Sequence, residues 1–132
     1  MSNITSIKNK IKNFNKTISV SGDKSLSIRW VLFSSLAKGK SKAFNLLLSE
    51  DVLATINAVQ KFGINVKFGK NHCSVIGNGP NGYKYKKNII INAQNSGTLG
   101  RLIMGILIDT PYKIKIIGDK SLSKRDFKRV AE

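Results

Sequence analysis

The hexapeptide GDKSLS occurs twice, at Gly22–Ser27 and at Gly118–Ser123, and an arginine stands two places after each copy, at Arg29 and Arg125. Each copy follows an alternating, β-branched segment, KTISVSG or KIKIIG, and opens a stretch with helical spacing. Each therefore reads as a strand passing through glycine into the first turn of a helix. A third junction of the same design lies between them, where NIIINA leads into QNSGTLGR, Gln94–Arg101. The copies are too far apart for a solenoid, so the duplication is expected to reflect repeated folding units.

Between these junctions the chain alternates strands and helices without a long polar linker. A helix is predicted from about Ser25 to Lys38, ended by Gly39, and KAFNLLL (42–48) is the next strand. Ser49 then caps a helix with Glu50 and Asp51 in its first turn, and Gly63 stops it. INVKFG and CSVIGNG read as a hairpin, NIIINA as a strand buried on both faces, and Gly97–Asp109 as a helix buried nearly all round. The second GDKSLS opens a last helix, SLSKRDFKRVAE, which has no Gly, Asn or Pro to end it. The fold class is α/β in the mixed α+β sense, and 132 residues suit one domain with a core of its own.

Lys and Arg number 23 against 7 Asp and Glu, a formal charge of +16. Such a surplus first suggests a polyanionic partner. Only four of these residues are arginines, Arg29, Arg101, Arg125 and Arg129, and Asn and Ile are also abundant. The plainer reading is a compositional bias toward Lys, Asn and Ile, which makes the few arginines informative as planar, bidentate donors. The aromatic residues are few and not interleaved with the lysines as a stacking platform requires. No nucleic-acid partner is expected, although a small basic nucleic-acid-binding domain and a generic phosphate-binding module stay open as alternatives.

Cys73 is the only cysteine and His72 the only histidine, so neither a disulfide nor a zinc site can be assembled from them. No apolar run approaches the roughly 20 residues of a membrane-spanning helix, so no membrane partner is expected. MSNITSIKNKIKNFNK has neither an apolar core nor an arginine, so it resembles no secretory or organelle leader. A cytoplasmic location is expected.

The three junctions share a chemistry. A helix start presents unpaired N–H groups, and its dipole favours a negative charge by about 0.3–1 kcal/mol. Glycine admits the ligand to the backbone, Lys24 adds a mobile charge, Ser25 a hydroxyl, and Arg29 lies one turn on, as Arg125 does after Ser121. At the third junction Gly97 leaves the backbone bare while Asn95, Ser96 and Thr98 are neutral donors. A substrate with more than one anionic group is implied.

SGDKSLSIR, SEDVLAT, QNSGTLGR and GDKSLSKRD, in this order, resemble the motifs of the enolpyruvyl transferase family. Lys24-Ser25 with Arg29 resembles its shikimate branch rather than the branch acting on UDP-N-acetylglucosamine. The resemblance runs from about Ile18 to the end. It implies transfer of the enolpyruvyl group of phosphoenolpyruvate to the 5-hydroxyl of shikimate 3-phosphate, with release of phosphate and with no metal or organic cofactor. It implies Lys24 in contact with both substrates, Ser25 and Arg29 holding shikimate 3-phosphate, and Asn95, Gly97 and Arg125 receiving phosphoenolpyruvate. Thr98 and Arg101 would set the loop.

The sequence departs from the family pattern at Ser21 and Asp126, where the family has proline, and at Gln94, where it has glycine. Family members are much longer, monomeric, and built as two domains of three βαβαββ units with the active site in the cleft between them. Residues 1–132 are thus expected to be part of the N-terminal, substrate-binding domain of such a prism fold. The general acid and base groups would lie outside them, so that no catalytic residue is assigned here and the chain alone is expected to be inactive.

Overall fold

The computed structural model describes residues 6, 8, 13 and 15–131. The stretch inspected for leader features lies largely outside them, as does the side chain of Arg129. Helix α1 (Lys24–Leu36) is followed by β1 (Lys38–Phe44), α2 (Glu50–Lys61), β2 (Asn65–Phe68) and β3 (His72–Asn78). Then come β4 (Ile90–Asn92), α3 (Gly97–Ile106), β5 (Lys115–Ile117), a 3-10 turn at Leu122–Lys124 and α4 (Lys128–Ala131). β1, β3 and β2 form an antiparallel sheet in that order, and β4 pairs with β5 in parallel. The architecture is the mixed α/β one expected from the sequence.

The antiparallel register puts Ser41, Val75 and Val66 in one row, facing the helices, and Lys40, Ile76 and Asn65 in the next, facing away. Ile28, Val31 and Leu32 of α1 and Val52, Ile56 and Val59 of α2 close over the inner face and are almost wholly buried. Phe62 completes the layer and stacks on Tyr83, with ring centroids 5.0 Å apart. The hydroxyls of Tyr83 and Ser35 are hydrogen bonded at 2.7 Å, so both are satisfied inside the core. Burial pushes the Tyr83 phenol above its ordinary value, against the opposing effect of that hydrogen bond.

α2 ends as predicted. Gly63 adopts φ +82, its N–H reaches Gln60 O, and Ile64 N–H reaches Val59 O, which together satisfy the final carbonyls. Other boundaries differ. α1 stops at Leu36 with Ala37 as its cap, and Gly39, at φ +101, lies inside β1 instead of ending the helix. β1 begins at Lys38 and finishes at Phe44, because its extent is set by pairing with β3 and not by the apolar run Leu46–Leu48. Asn45, at φ 55, turns the chain out of the strand.

KTISVSG forms no strand. Alternation says which way side chains point, whereas a strand exists only where another offers its N–H and C=O groups. This segment is held by a side chain instead, Asn45 Nδ2 donating to Val20 O at 3.2 Å, and Ile18 and Val20 are 72% and 67% exposed. β4 is buried only at Ile91, with Ile90 and Asn92 turned outward, so NIIINA is not covered on both faces. α3 buries one face, at Gly97, Leu99, Gly100 and Ile103, and ends at Ile106. Phe33, Phe44 and Ile108 also point outward, 65%, 71% and 80% exposed.

The two GDKSLS copies build the same local device. Asp23 Oδ1 accepts from Leu26 N–H at 2.7 Å, and Asp119 Oδ1 from Leu122 N–H at 2.6 Å. Ser27 and Ser123 return both backbone N–H and hydroxyl to the carbonyls of Asp23 and Asp119. Gly22 lies so close to Asn45 that a Cβ would fall 2.0 Å from its carbonyl oxygen, and a Cβ on Gly118 would fall 2.8 Å from that of Gln94. Asn45 and Gln94 are both left-handed, at φ 55 and 52.

Among the described residues the surroundings of the copies differ: the first opens α1 with no strand before it, while the second follows β5, the second strand of the parallel pair. Only the first continues as an α-helix. Arg125 is extended, at φ -80 and ψ 142, and Asp126 Oδ1 accepts from Lys128 N–H at 2.8 Å, so the predicted last helix is broken into a 3-10 turn and a new start. A proline at position 126 would impose the same extended conformation on Arg125.

Candidate functional site

The three junctions converge. α1 brings Lys24, α2 brings Asp51, the start of α3 brings Asn95, Gly97, Thr98 and Arg101, and the 3-10 turn delivers Arg125, around one open hollow of about 260 Å³. A hollow of about 610 Å³ lies between α2 and β4, but its one cation, Lys61, is directed to the carbonyl of Ile90. Three cations meet in the smaller one, which is the candidate site.

Its charge is three cations against one carboxylate. Lys24 Nζ lies 3.0 Å from Asp51 Oδ2. Arg101 Nη2 donates to Asp126 O at 3.1 Å, and its guanidinium lies 5.0 Å over the ring of Phe127, so it is braced from two sides. Arg125 Nη2 donates to Asn95 Oδ1. A Cβ on Gly97 would lie 2.8 Å from Arg101 Nη1 and 2.9 Å from Arg125 Nη1, so both guanidinium groups sit over the bare backbone of this one residue. Neither arginine makes an ion pair among the described residues. Two such groups held side by side suit a dianionic ligand atom group such as a phosphate, which accepts from both in fork geometry.

Of the residues singled out from sequence, Lys24, Asn95, Gly97, Thr98, Arg101 and Arg125 are therefore brought together. Ser25 and Arg29 are not among the lining residues. Arg29 is exposed and donates back to Ser25 O at 3.2 Å, on another side of α1 from Lys24.

One amide at each helix start is capped by a side chain, while those of Lys24, Ser25 and Thr98 have no acceptor among the described residues. The N–H groups of Leu26 and Leu122 are taken by Asp23 and Asp119, and that of Leu99 by Ser96 Oγ at 3.2 Å. The junctions hold the cationic side chains in place, and those side chains supply the charged donors lining the hollow. Asp126, beside Arg125, turns to the backbone of Lys128 and does not compete for the guanidinium.

Two carboxylates outside the candidate residues also belong to the site. Asp51 lines the hollow. Asp119 reaches it through Asn95, whose Nδ2 donates to Asp119 Oδ2 at 2.7 Å. The Leu122 N–H lowers the Asp119 carboxyl most; desolvation, the next-largest influence, opposes it, and the Asn95 amide, the Ser121 N–H and the charge of Arg125 add to the lowering, so that the group lies below its ordinary value. SEDVLAT marks Asp51 as part of a family motif, but its place at the hollow follows from Lys24 lying across from it.

Known proteins resemble this chain over nearly its whole length. A family model described as EPSP synthase (3-phosphoshikimate 1-carboxyvinyltransferase) matches residues 8–132. The 3-phosphoshikimate 1-carboxyvinyltransferase of Bacillus cytotoxicus is 41% identical over 121 residues, which are 92% of this chain and 28% of that protein. The enzyme of the same name from Leuconostoc mesenteroides is 39% identical over 115 residues, 87% of this chain and 26% of that one. Among solved structures, EPSP synthase from Acinetobacter baumannii superposes with a TM-score of 0.79 at 35% identity, over 86% of this chain and 26% of its own. The chain thus spans little more than a quarter of the length of the relatives it matches. With the family model covering nearly all of the sequence, and the motifs that resemble the family gathered around one cationic hollow, the chain belongs to the EPSP synthase family.

Proposed function

We propose that this chain forms the anion-receiving part of the N-terminal domain of a two-domain enzyme that moves the enolpyruvyl group of phosphoenolpyruvate onto the 5-hydroxyl of shikimate 3-phosphate, releasing phosphate. The observation that carries this reading is the pair of guanidinium groups, Arg101 and Arg125, over Gly97, with Lys24 across the hollow. Arg125 and Lys24 take the phosphate or carboxylate of phosphoenolpyruvate, Asn95 and Gly97 shape that pocket, and Thr98 and Arg101 hold its floor. Ser25 and Arg29, on the neighbouring side of α1, receive shikimate 3-phosphate. No metal or organic cofactor takes part, and the complete enzyme acts as a monomer in the cytoplasm.

The hollow binds and orients its ligand. The chain by itself is inactive in this reading. The test is a chimera in which residues 18–132 replace the matching part of the Bacillus cytotoxicus relative. Phosphate release that requires both substrates, and that falls at least 100-fold on Arg125→Ala, supports the proposal. A folded chimera without such release, in which the parent segment is active, refutes it.

A second reading rests on Lys38, Lys40 and Lys42, which share the outer face of the sheet with Lys67 and are all exposed. A polyanion lying on this face would bind with an affinity that falls steeply as salt rises, whereas substrate binding in the hollow would be far less sensitive.

A further inference from the structure

Asp119 does more than Asp23, its counterpart in the first GDKSLS copy. Both carboxylates accept an N–H three residues on, and Asp119 uses its second oxygen to hold Asn95. The Asn95 amide is thereby placed between a carboxylate, which can only accept, and a guanidinium, which can only donate. One orientation satisfies both neighbours: Nδ2 toward Asp119 and Oδ1 toward Arg125, as found.

The contacts close into a ring. Asp119 N–H donates to Gln94 O at 2.8 Å, next to Asn95 in the chain, and Asp119 Oδ1 and O secure the 3-10 turn whose last N–H, that of Arg125, reaches Leu122 O at 3.0 Å. Asp119 thus holds Arg125 at its backbone through the turn and at its tip through Asn95.

We propose that Asp119 is a positioning residue for the anion pocket, setting the amide orientation of Asn95 and, through it, the direction in which Arg125 presents its remaining N–H groups. This rests on the reading of the hollow as the phosphoenolpyruvate site. Asp119→Asn separates the two roles of the carboxylate, because asparagine caps a helical turn about as well as aspartate. With Oδ1 kept on Leu122, its amide nitrogen would face that of Asn95. Asn95 would turn over and present a donor to Arg125, which would then swing away.

The experiment uses the 132-residue chain, isotopically labelled, with phosphoenolpyruvate and shikimate 3-phosphate as probes. In Asp119→Asn the side-chain amide resonances of Asn95 and the guanidinium resonances of Arg125 move together, phosphoenolpyruvate binding weakens about tenfold, shikimate 3-phosphate binding changes less than about twofold, and the melting temperature shifts less than about 2 °C. Asp119→Ser, which caps but does not reach Asn95, gives the same pattern. Unmoved Arg125 resonances, or equal weakening of both ligands together with a lower melting temperature, overturn the proposal. If phosphoenolpyruvate leaves the Arg125 resonances of the parent chain untouched while Asp119→Asn still moves Asn95 and Arg125 together, the orientation stands and the assignment of the ligand falls.

Discussion

Lys24 Nζ and Asp51 Oδ2 lie 3.0 Å apart, joining the first turn of α1 to that of α2 across the mouth of the hollow. The lysine side chain is 53% exposed, so the pair adds little to stability, at most about 1 kcal/mol. Its consequence is for binding. Lys24→Ala is expected to shift the melting temperature by less than about 3 °C while weakening phosphoenolpyruvate at least tenfold in the chimera, through loss of a charge-assisted contact. Calorimetric titration beside a thermal melt separates the two effects.

Gly97→Ala puts a methyl where two guanidinium groups now rest, 2.8 and 2.9 Å from their nitrogens. Those are flexible ends, so the arginines yield and the fold survives. Alanine also has less backbone freedom than glycine to lose on folding. The expected result is unchanged or slightly raised stability with an apparent KM for phosphoenolpyruvate raised about tenfold and a smaller change for shikimate 3-phosphate. Equal changes in the two KM values would remove Gly97 from the phosphoenolpyruvate pocket.

Gln94 occupies a left-handed position, φ 52, where the family pattern has glycine. A side chain there costs about 1–2 kcal/mol, partly offset because glycine has more freedom to lose on folding. Gln94→Gly is therefore expected to stabilise the chain by about 0.5–1 kcal/mol, read from urea unfolding. A loss of stability would show that Gln94 makes a compensating contact.

Tyr83 gives the fold a dependence on alkaline pH. Burial raises its pKa above the ordinary 10.0, so the folded state resists losing a proton that the unfolded chain gives up readily. Its contribution is complete below pH 10 and is lost as pH rises through the folded value. Between pH 9 and about 11.5 the melting temperature should fall more in the parent than in Tyr83→Phe, whose own cost at neutral pH, from the lost Ser35 hydrogen bond, is about 1 kcal/mol. Parallel curves would contradict this.

What could be read in the sequence was what is decided locally. Gly63 as a stop, Ser49 as the residue before α2 and the hairpin around Gly69–Asn71 each depend on a few neighbouring residues, and each is found, although the Ser49 hydroxyl caps no amide. Strands depend on partners that periodicity does not name. Ile18 and Val20 alternate correctly but pair with no strand among the described residues, while lysine-rich Lys38–Phe44 becomes a strand because β3 lies alongside. The site shows the same division. Motif residues at three helix starts come together, but Lys24 and Arg29 are five residues apart on one helix, about 140° around it, so they face different sides. Asp51 joins the hollow only because α1 and α2 pack side by side.

Phe33, Phe44 and Ile108, turned to solvent, make this chain a colloid balanced between two tendencies. Oily side chains draw copies together and a formal charge of +16 holds them apart. The repulsion reaches about 30 Å at 0.01 M salt and only about 3 Å at 1 M, while the attraction is unaffected or strengthened. Dilute buffer should therefore keep the molecules dispersed and added salt should bring on turbidity, the reverse of what is usual for a protein whose contacts are ionic.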